Sequence, residues 1–311
     1  LDVAYCVAHP FWKDWRTHVR SINPEAYMTA EIIDKPENVQ PYLQGDEFDG
    51  EMNYNFAFAS AEFFFNEDET RITASEYDQK LQDLRELYPK GVAYVVQNLF
   101  GSHDANRIGS HIVNRNNGIG NFRDWGQYFG ASKGENPNYD TRKPQADDIE
   151  LQKLFVIMQM TYVGAPMVYY GDEVGMWGGN DPDDRKPMIW DDIEYADEVY
   201  NADGSTHAPD KVEINEDLFN HYKKLIHIRK DNPALQLGSY RLVLADDDND
   251  ILIFERAFEG ETIFVVINNS DSEQVIDVEE VQGSYTDLLS GKTFSEGDEI
   301  SVPEKWGLIL K

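Results

Sequence analysis

The sequence predicts an α/β fold with parallel strands, followed by a small antiparallel β domain. Up to about Leu235, short apolar segments of strand character alternate with amphipathic helical ones, the pattern of βαβ units. Beyond it, "YRLVLADDDNDILIFERAFEGETIFVVINNS" (240–270) and "ISVPEKWGLIL" (300–310) alternate apolar and polar residues around turn clusters, as antiparallel strands do. With 311 residues, the chain has room for a substantial core and two domains, drawn here as 1–234 and 235–311.

The elements follow in order. "HPFWKDWRTHVRSI" (9–22) carries Phe11, Trp12, Trp15, Val19 and Ile22 at helical spacing, and Asn23-Pro24 stops it. "AYMTAEII" (26–33) and "FDGEMNY" (48–54) are short strand candidates. "ASEYDQKLQDLRELYP" (74–89) is an amphipathic helix closed by Pro89, and "GVAYVVQNLF" (91–100) has the apolar, β-branched composition of a buried strand. The stretch 110–147 reads as a long Asn/Gly/Asp-rich loop holding Trp125, Tyr128, Phe129 and Tyr139, rings that either stack on a ligand or pack beneath the loop. "DDIELQKLFVIMQMTYV" (147–163) is a buried helix ended by Gly164, "PMVYYG" (166–171) a further buried strand, and "DLFNHYKKLIHIRK" (217–230) the helix before the β domain.

Charge and composition exclude several function classes. A net charge of −31, from 58 acidic against 27 basic residues, argues against nucleic acid or an anionic membrane as partner, since both need clustered Lys and Arg. The most apolar run (154–171) is interrupted by Gln159, Thr161, Gly164 and Pro166, so no membrane span is expected. One cysteine, Cys6, rules out a disulfide within the chain. No metal-ligand spacing stands out, and nothing in the composition assigns a compartment.

Three carboxylates occupy comparable places. Asp2 lies in "LDVA", Glu31 ends "AYMTAEI", and Asp104 follows the apolar segment 91–100, beside His103. Any one of them alone reads as a helix cap or surface charge. In a parallel α/β barrel, however, the C-terminal strand ends share one rim, so acids far apart in sequence meet in one pocket. Two carboxylates at such a rim are what glycosidic cleavage requires.

These segments resemble the α-amylase superfamily of retaining glycoside hydrolases, in its neopullulanase/cyclomaltodextrinase-like group. "LDVA" resembles the nucleophile segment, "AYMTAEI" the acid/base segment, "YLQGDEFDGEMNY" (42–54) the next strand and its approach loop, and "GSHDANRI" (101–108) the His-Asp segment. "GAPMVYYGDEVGMWGGNDPDDRKPMIW" (164–190) resembles the last barrel strand and its following loop. The resemblance implies the C-terminal half of a (β/α)8 TIM barrel, from the tip of its fourth strand, followed by an antiparallel β-sandwich. It implies cleavage of α-glucosidic bonds in starch, maltooligosaccharides, cyclodextrins or pullulan. A transglycosylase and a catalytically silent carbohydrate-binding relative are the alternatives.

Carried over, the resemblance makes Asp2 the nucleophile, Glu31 the acid/base and Asp104 the stabiliser of the oxocarbenium-like transition state. His103 would bond a sugar hydroxyl. Arg107 would orient a carboxylate, contact substrate or pair on the surface. Arg185 would line the substrate approach or brace its loop. Asp172 and Glu173 are structural in this reading, and His9 and His18 lie on a helix surface. No cofactor is required; some relatives bind calcium, but no residues here place it. The family's arginine two residues before the nucleophile would precede Leu1, and its earlier strands are missing, so the expected partner of this segment is the N-terminal half of the barrel. Alone, the segment is expected to be inactive. Tyr5 and Cys6 stand where relatives often carry Asn-Glu or Lys-His, which bears on bond preference.

Overall fold

A computed structural model describes the chain except residues 68, 121, 123–130 and 282 and the side chain of residue 280. After a short turn at Ala4–Cys6 comes α1 (His9–Ile22), the helix the apolar spacing predicts. Strand β1 (Thr29–Ala30), α2 (Pro36–Val39), β2 (Gly50–Asn53) and α3 (Tyr54–Ser60) follow, the last running into a wide π turn, Ala61–Phe65. Next are α4 (Ala74–Leu87), β3 (Gln97–Asn98), α5 (Ile108–Val113), α6 (Ala146–Thr161) and β4 (Ala165–Pro166). A hairpin of β5 (Glu198–Tyr200) and β6 (Thr206–Asp210) precedes α7 (Glu216–Asp231) and α8 (Pro233–Leu237). Strands β7 (Ser239–Asp246), β8 (Ile251–Phe258) and β9 (Glu261–Asn268) come next. After them lie β10 (Gln274–Ile276), β11 (Tyr285–Thr286), β12 (Thr293–Phe294), β13 (Ile300–Val302) and β14 (Trp306–Leu310).

Strands β1 to β4 form one parallel sheet in sequence order. The chain start adds to its first edge: the Leu1 amino group donates to Thr29 O, Glu31 N to Leu1 O, and Ala4 N to Glu31 O. On β4, Ala165 N donates to Val96 O and Met167 N to Asn98 O, so these two amides face β3. Asparagines lock the sheet internally. Asn53 Nδ2 donates to Asn98 Oδ1 at 2.9 Å while its own Oδ1 caps α3, and Asn98 Nδ2 reaches Val163 O at 2.7 Å. Gly164, at φ +116°, is required there, because a Cβ would stand 2.5 Å from Asn98 Nδ2.

The strands are shorter than expected. Over 91–100 only Gln97–Asn98 is strand, because Gly91 turns the chain at φ +103° into a 3₁₀ turn at Val92–Tyr94. Buried turns and buried parallel strands share one apolar composition, and periodicity does not separate them. The segment 26–33 contracts likewise to Thr29–Ala30, only Pro166 of 166–171 is strand, and the long loop from Ser110 begins inside α5.

Capping explains where the helices start. Thr73 and Glu76 form a reciprocal capping box on α4, and the Asn215 side chain accepts from Leu218 N at the start of α7. Helix α6 is buried on every side from Leu151 to Thr161. It lies between the parallel sheet and the four-stranded antiparallel sheet β14-β9-β8-β7. Along β8 the pleat divides the side chains: Leu252 and Phe254 join the large core shared with Phe56, Phe155 and Leu225, whereas Ile251 and Ile253 pack under Phe294, Ile300 and Val302.

One acid inside the parallel sheet serves no visible binding purpose. Glu51 on β2 is fully buried; Tyr88 OH donates to its Oε1 at 2.5 Å, and burial pushes its pKa up to about 8. The folded state thus holds a proton that an unfolded glutamate releases near pH 4.5, so this group lowers stability as pH rises from there to about 8. Glu51→Gln mimics the protonated form. It should raise the melting temperature at pH 8 by roughly 5 °C and leave it nearly unchanged at pH 4.5.

Candidate functional site

Glu31 stands at the end of β1, with 5% of its surface exposed. Its Oε1 accepts no hydrogen bond among the described residues, and His103 Nε2 lies 3.4 Å from it. The Asp2 carboxyl lies close enough to raise its pKa, and the Val3 amide faces it and acts the other way. Val3 does so from a left-handed conformation, φ 39° and ψ 47°, which costs a β-branched residue about 1–2 kcal/mol. Burial raises the Glu31 pKa, the bond to Asp2 and the charge of Asp104 raise it further, and His103 opposes them. The outcome is a carboxyl that keeps its proton above the usual range.

His103 and Asp104 project from the turn after β3. The hydroxyl of buried Tyr54 donates to Ser102 Oγ at 3.1 Å, and Ser102 Oγ accepts from Asp104 N at 3.1 Å. The spacing of Ser102 and Asp104 is that of a side-chain-capped turn, a signal present in the sequence. His103 Nε2 lies 3.7 Å from Asp104 Oδ2. Exposed Tyr5 borders the same cluster, and its pKa is raised by burial and by the charges of Cys6, Glu31, Asp104 and Asp2.

Arg185 reaches in from the loop after β4. Its Nη2 donates to Asp104 Oδ1 at 2.9 Å, its Nε to His103 O at 2.7 Å, and Nε stands 3.1 Å from Asp181 Oδ1. The loop is seated by Arg107 N donating to Gly178 O and Gly178 N donating to Ser110 Oγ.

Arg107 does not join this group. It is wholly buried and donates through Nη1 to Asp172 Oδ1 at 3.0 Å and to Tyr170 O at 2.6 Å, with the rings of Tyr169 and Tyr170 against its guanidinium. Surface pairing gives way to an internal ion pair: the carboxylate it orients is Asp172, whose pKa burial nevertheless pushes up to about 7. Gly101 makes room, since a Cβ there would lie 2.6 Å from Asp172 Oδ2. Glu173 bonds the Gly171 amide, His9 bonds Glu47, and His18 is exposed on α1. Tyr139 is buried and accepts from Asn106 Nδ2, so it packs beneath the loop, while Trp125, Tyr128 and Phe129 lie outside the described residues.

Sequence reasoning did not mark Asp184, which is fully buried with neither oxygen hydrogen-bonded among the described residues; burial pushes its pKa up to about 7. No local pattern distinguishes it from Asp181 and Asp183 beside it. One further grouping bears on chemistry. Donor atoms of Glu31, His103 and Asp104 lie within 4.8 Å of one another, a spacing that also suits a cation.

A family model described as alpha amylase, catalytic domain, matches residues 5–122 and 138–238, and one for the maltogenic amylase C-terminal domain matches 240–303. Glu31, His103 and Asp104 fall within the first match, and Asp2 just before it. The chain is 32% identical over 315 residues to a cyclomaltodextrinase of Geobacillus thermopakistaniensis, covering 100% of this chain and 44% of that protein. Neopullulanase 2 of Thermoactinomyces vulgaris is 32% identical over 295 residues, covering 94% of this chain and 40% of its own length. A solved cyclomaltodextrinase superposes with a TM-score of 0.75 at 27% identity, covering 100% of this chain and 45% of that one. The chain spans less than half the length of these relatives.

Proposed function

The chain belongs to the α-amylase family, and from that premise we propose that the protein carrying it is a retaining glycosidase acting on α-glucosidic bonds of maltooligosaccharides, starch, cyclodextrins or pullulan. Residues 1–234 then supply the second half of a (β/α)8 barrel from the end of its fourth strand, and 235–311 the terminal β domain. The parallel order β1 to β4, with the Leu1–Ala4 backbone alongside β1, supports this division. The partner implied is the N-terminal half of the barrel.

Asp2 attacks the anomeric carbon while Glu31 protonates the leaving oxygen; a glycosyl-aspartate forms, and Glu31, now ionised, draws a proton from the incoming water or sugar hydroxyl. Asp104 faces the positive charge that develops on the ring, and His103 bonds a hydroxyl beside it. The observation that carries this reading is the closeness of Asp2 to buried Glu31, whose pKa burial and Asp2 both raise. Such closeness favours the retaining separation of about 5–5.5 Å over the inverting one of about 6.5–9.5 Å.

The test is the anomeric configuration of the first product, followed by NMR on maltooligosaccharide with the full-length protein. Retention is expected, and inverted product would overturn the mechanism. The same assay gives the ratio of hydrolysis to transfer. Activity is expected to survive a chelator. Loss restored by a divalent ion would favour a metal-dependent reading of the Glu31, His103 and Asp104 cluster.

A further inference from the structure

We propose that a trench outside the catalytic cluster, between Trp190 and the segment joining β6 to α7, binds a linear α-glucan chain; the ligand class rests on the reading given above. Trp190 and Ile193 stand 57% and 51% exposed over a cleft of about 470 Å³, within the range of about 300–1,000 Å³ typical of small-molecule clefts. Tyr195 fixes the backbone beneath them: its Oη accepts from Trp190 N at 2.8 Å and donates to Met188 O at 3.3 Å. Asp191, Glu194, Asp197 and Glu213 bring four carboxylates to this cleft, against one ammonium, Lys211. A second cavity of about 230 Å³ shares Ile189, Tyr195 and Val212 with the first and reaches Trp177 and Lys186. The Trp177 Nε1 is buried there with no hydrogen-bond partner among the described residues. Lys186 directly follows Arg185, which grips Asp104, so this end of the trench lies one residue from the cluster.

The lining selects its ligand. An exposed indole on a fixed turn is a platform for a flat molecule with an apolar face and a wet rim. A pyranose ring has that form: its C–H face covers the indole, and its edge hydroxyls donate to carboxylates in charge-assisted bonds. The excess of acids repels phosphates and polyanions. Neither lysine is free to seat an anion, since Lys211 pairs with Glu213 at 2.5 Å and Lys186 with Glu198 at 2.6 Å. What remains is a neutral polyol, and two joined cavities suit a chain of such rings better than one. A long glucan held here keeps its other segments at high effective concentration near Glu31, an advantage that a trisaccharide filling only the cluster does not share.

The experiment uses the full-length protein with Trp190→Ala and Trp190→Phe. Retardation by amylose in native gels is measured in an Asp2→Asn background, and kcat and KM on amylose and on maltotriose are measured without that change. Trp190→Ala should weaken amylose binding about 10-fold, and Trp190→Phe should restore most of it. The KM for amylose should rise by a similar factor at unchanged kcat, while kcat/KM for maltotriose stays within about twofold. Unchanged retardation in Trp190→Ala overturns the inference, as does an equal loss on maltotriose, which would place the ring in the catalytic cleft. A shift in sedimentation with retardation intact would mark this face as a contact between copies, and displacement by oligolysine but not by maltoheptaose would mark a cationic peptide site; either overturns it. Retardation that depends on Trp190 in a protein that cleaves no α-glucan would keep the trench and overturn the function proposed above.

Discussion

The Glu31→Gln variant of the full-length protein is expected to lose about 10²–10⁴-fold in kcat on maltooligosaccharides and, in what activity remains, the fall in rate at high pH. A general acid works only while it holds its proton. Burial, the bond to Asp2 and the charge of Asp104 raise the pKa of Glu31, so the working form persists above the usual carboxylate range and disappears as pH rises through that raised value. The alkaline limb of a bell-shaped profile therefore belongs to Glu31, and an amide cannot titrate. A substrate whose leaving group needs no proton, such as α-maltosyl fluoride, should recover much of the lost glycosylation rate, while Asp2→Asn should be inactive on both substrates. An alkaline limb that persists in Glu31→Gln would assign the acid to another residue.

Removing the buried guanidinium has its main effect on stability. Arg107→Met leaves the Asp172 carboxyl enclosed and unpaired, which typically costs 3–5 kcal/mol when one partner of a buried pair is lost, here about 10 °C in melting temperature. The effect depends on pH in a defined direction. The folded-state pKa of Asp172 is already raised to about 7 from 3.8, so wild-type stability attributable to this group declines as pH climbs between those values. Without Arg107 the carboxyl holds its proton more tightly still. The gap between variant and wild type should be small at pH 5 and widen through pH 7 to 9, and Arg107→Met with Asp172→Asn should close most of it. Unchanged melting together with weakened maltose binding would return Arg107 to the sugar-contact role.

These two arginines show where sequence reading stops. Helix α1 is legible because Trp12, Trp15 and Val19 repeat on one stripe, and α4 because Thr73 and Glu76 spell its cap. Glu31 and Asp104 stand out because each closes an apolar segment beside turn residues. Arg107 and Arg185 are both cations in polar surroundings of the sequence, yet one is sealed between tyrosines and the other grips an acid 81 positions away. Burial of a charge is a property of the folded neighbourhood and leaves no local mark. The left-handed backbone at Val3 is equally hidden, since a β-branched residue is among the least suited to it. Strand lengths failed for the opposite reason: the composition around β3 was too uniform to show where pairing ends.

The proline in β4 has a consequence for whatever lies beside that strand. Because the amides of Ala165 and Met167 turn toward β3, the backbone group directed the other way belongs to Pro166, which has no hydrogen to give. A strand laid along this margin can donate to the Pro166 carbonyl but receives nothing back there. Indiscriminate ribbon-to-ribbon pairing is thereby discouraged, and a legitimate neighbour must win its place through side-chain fit.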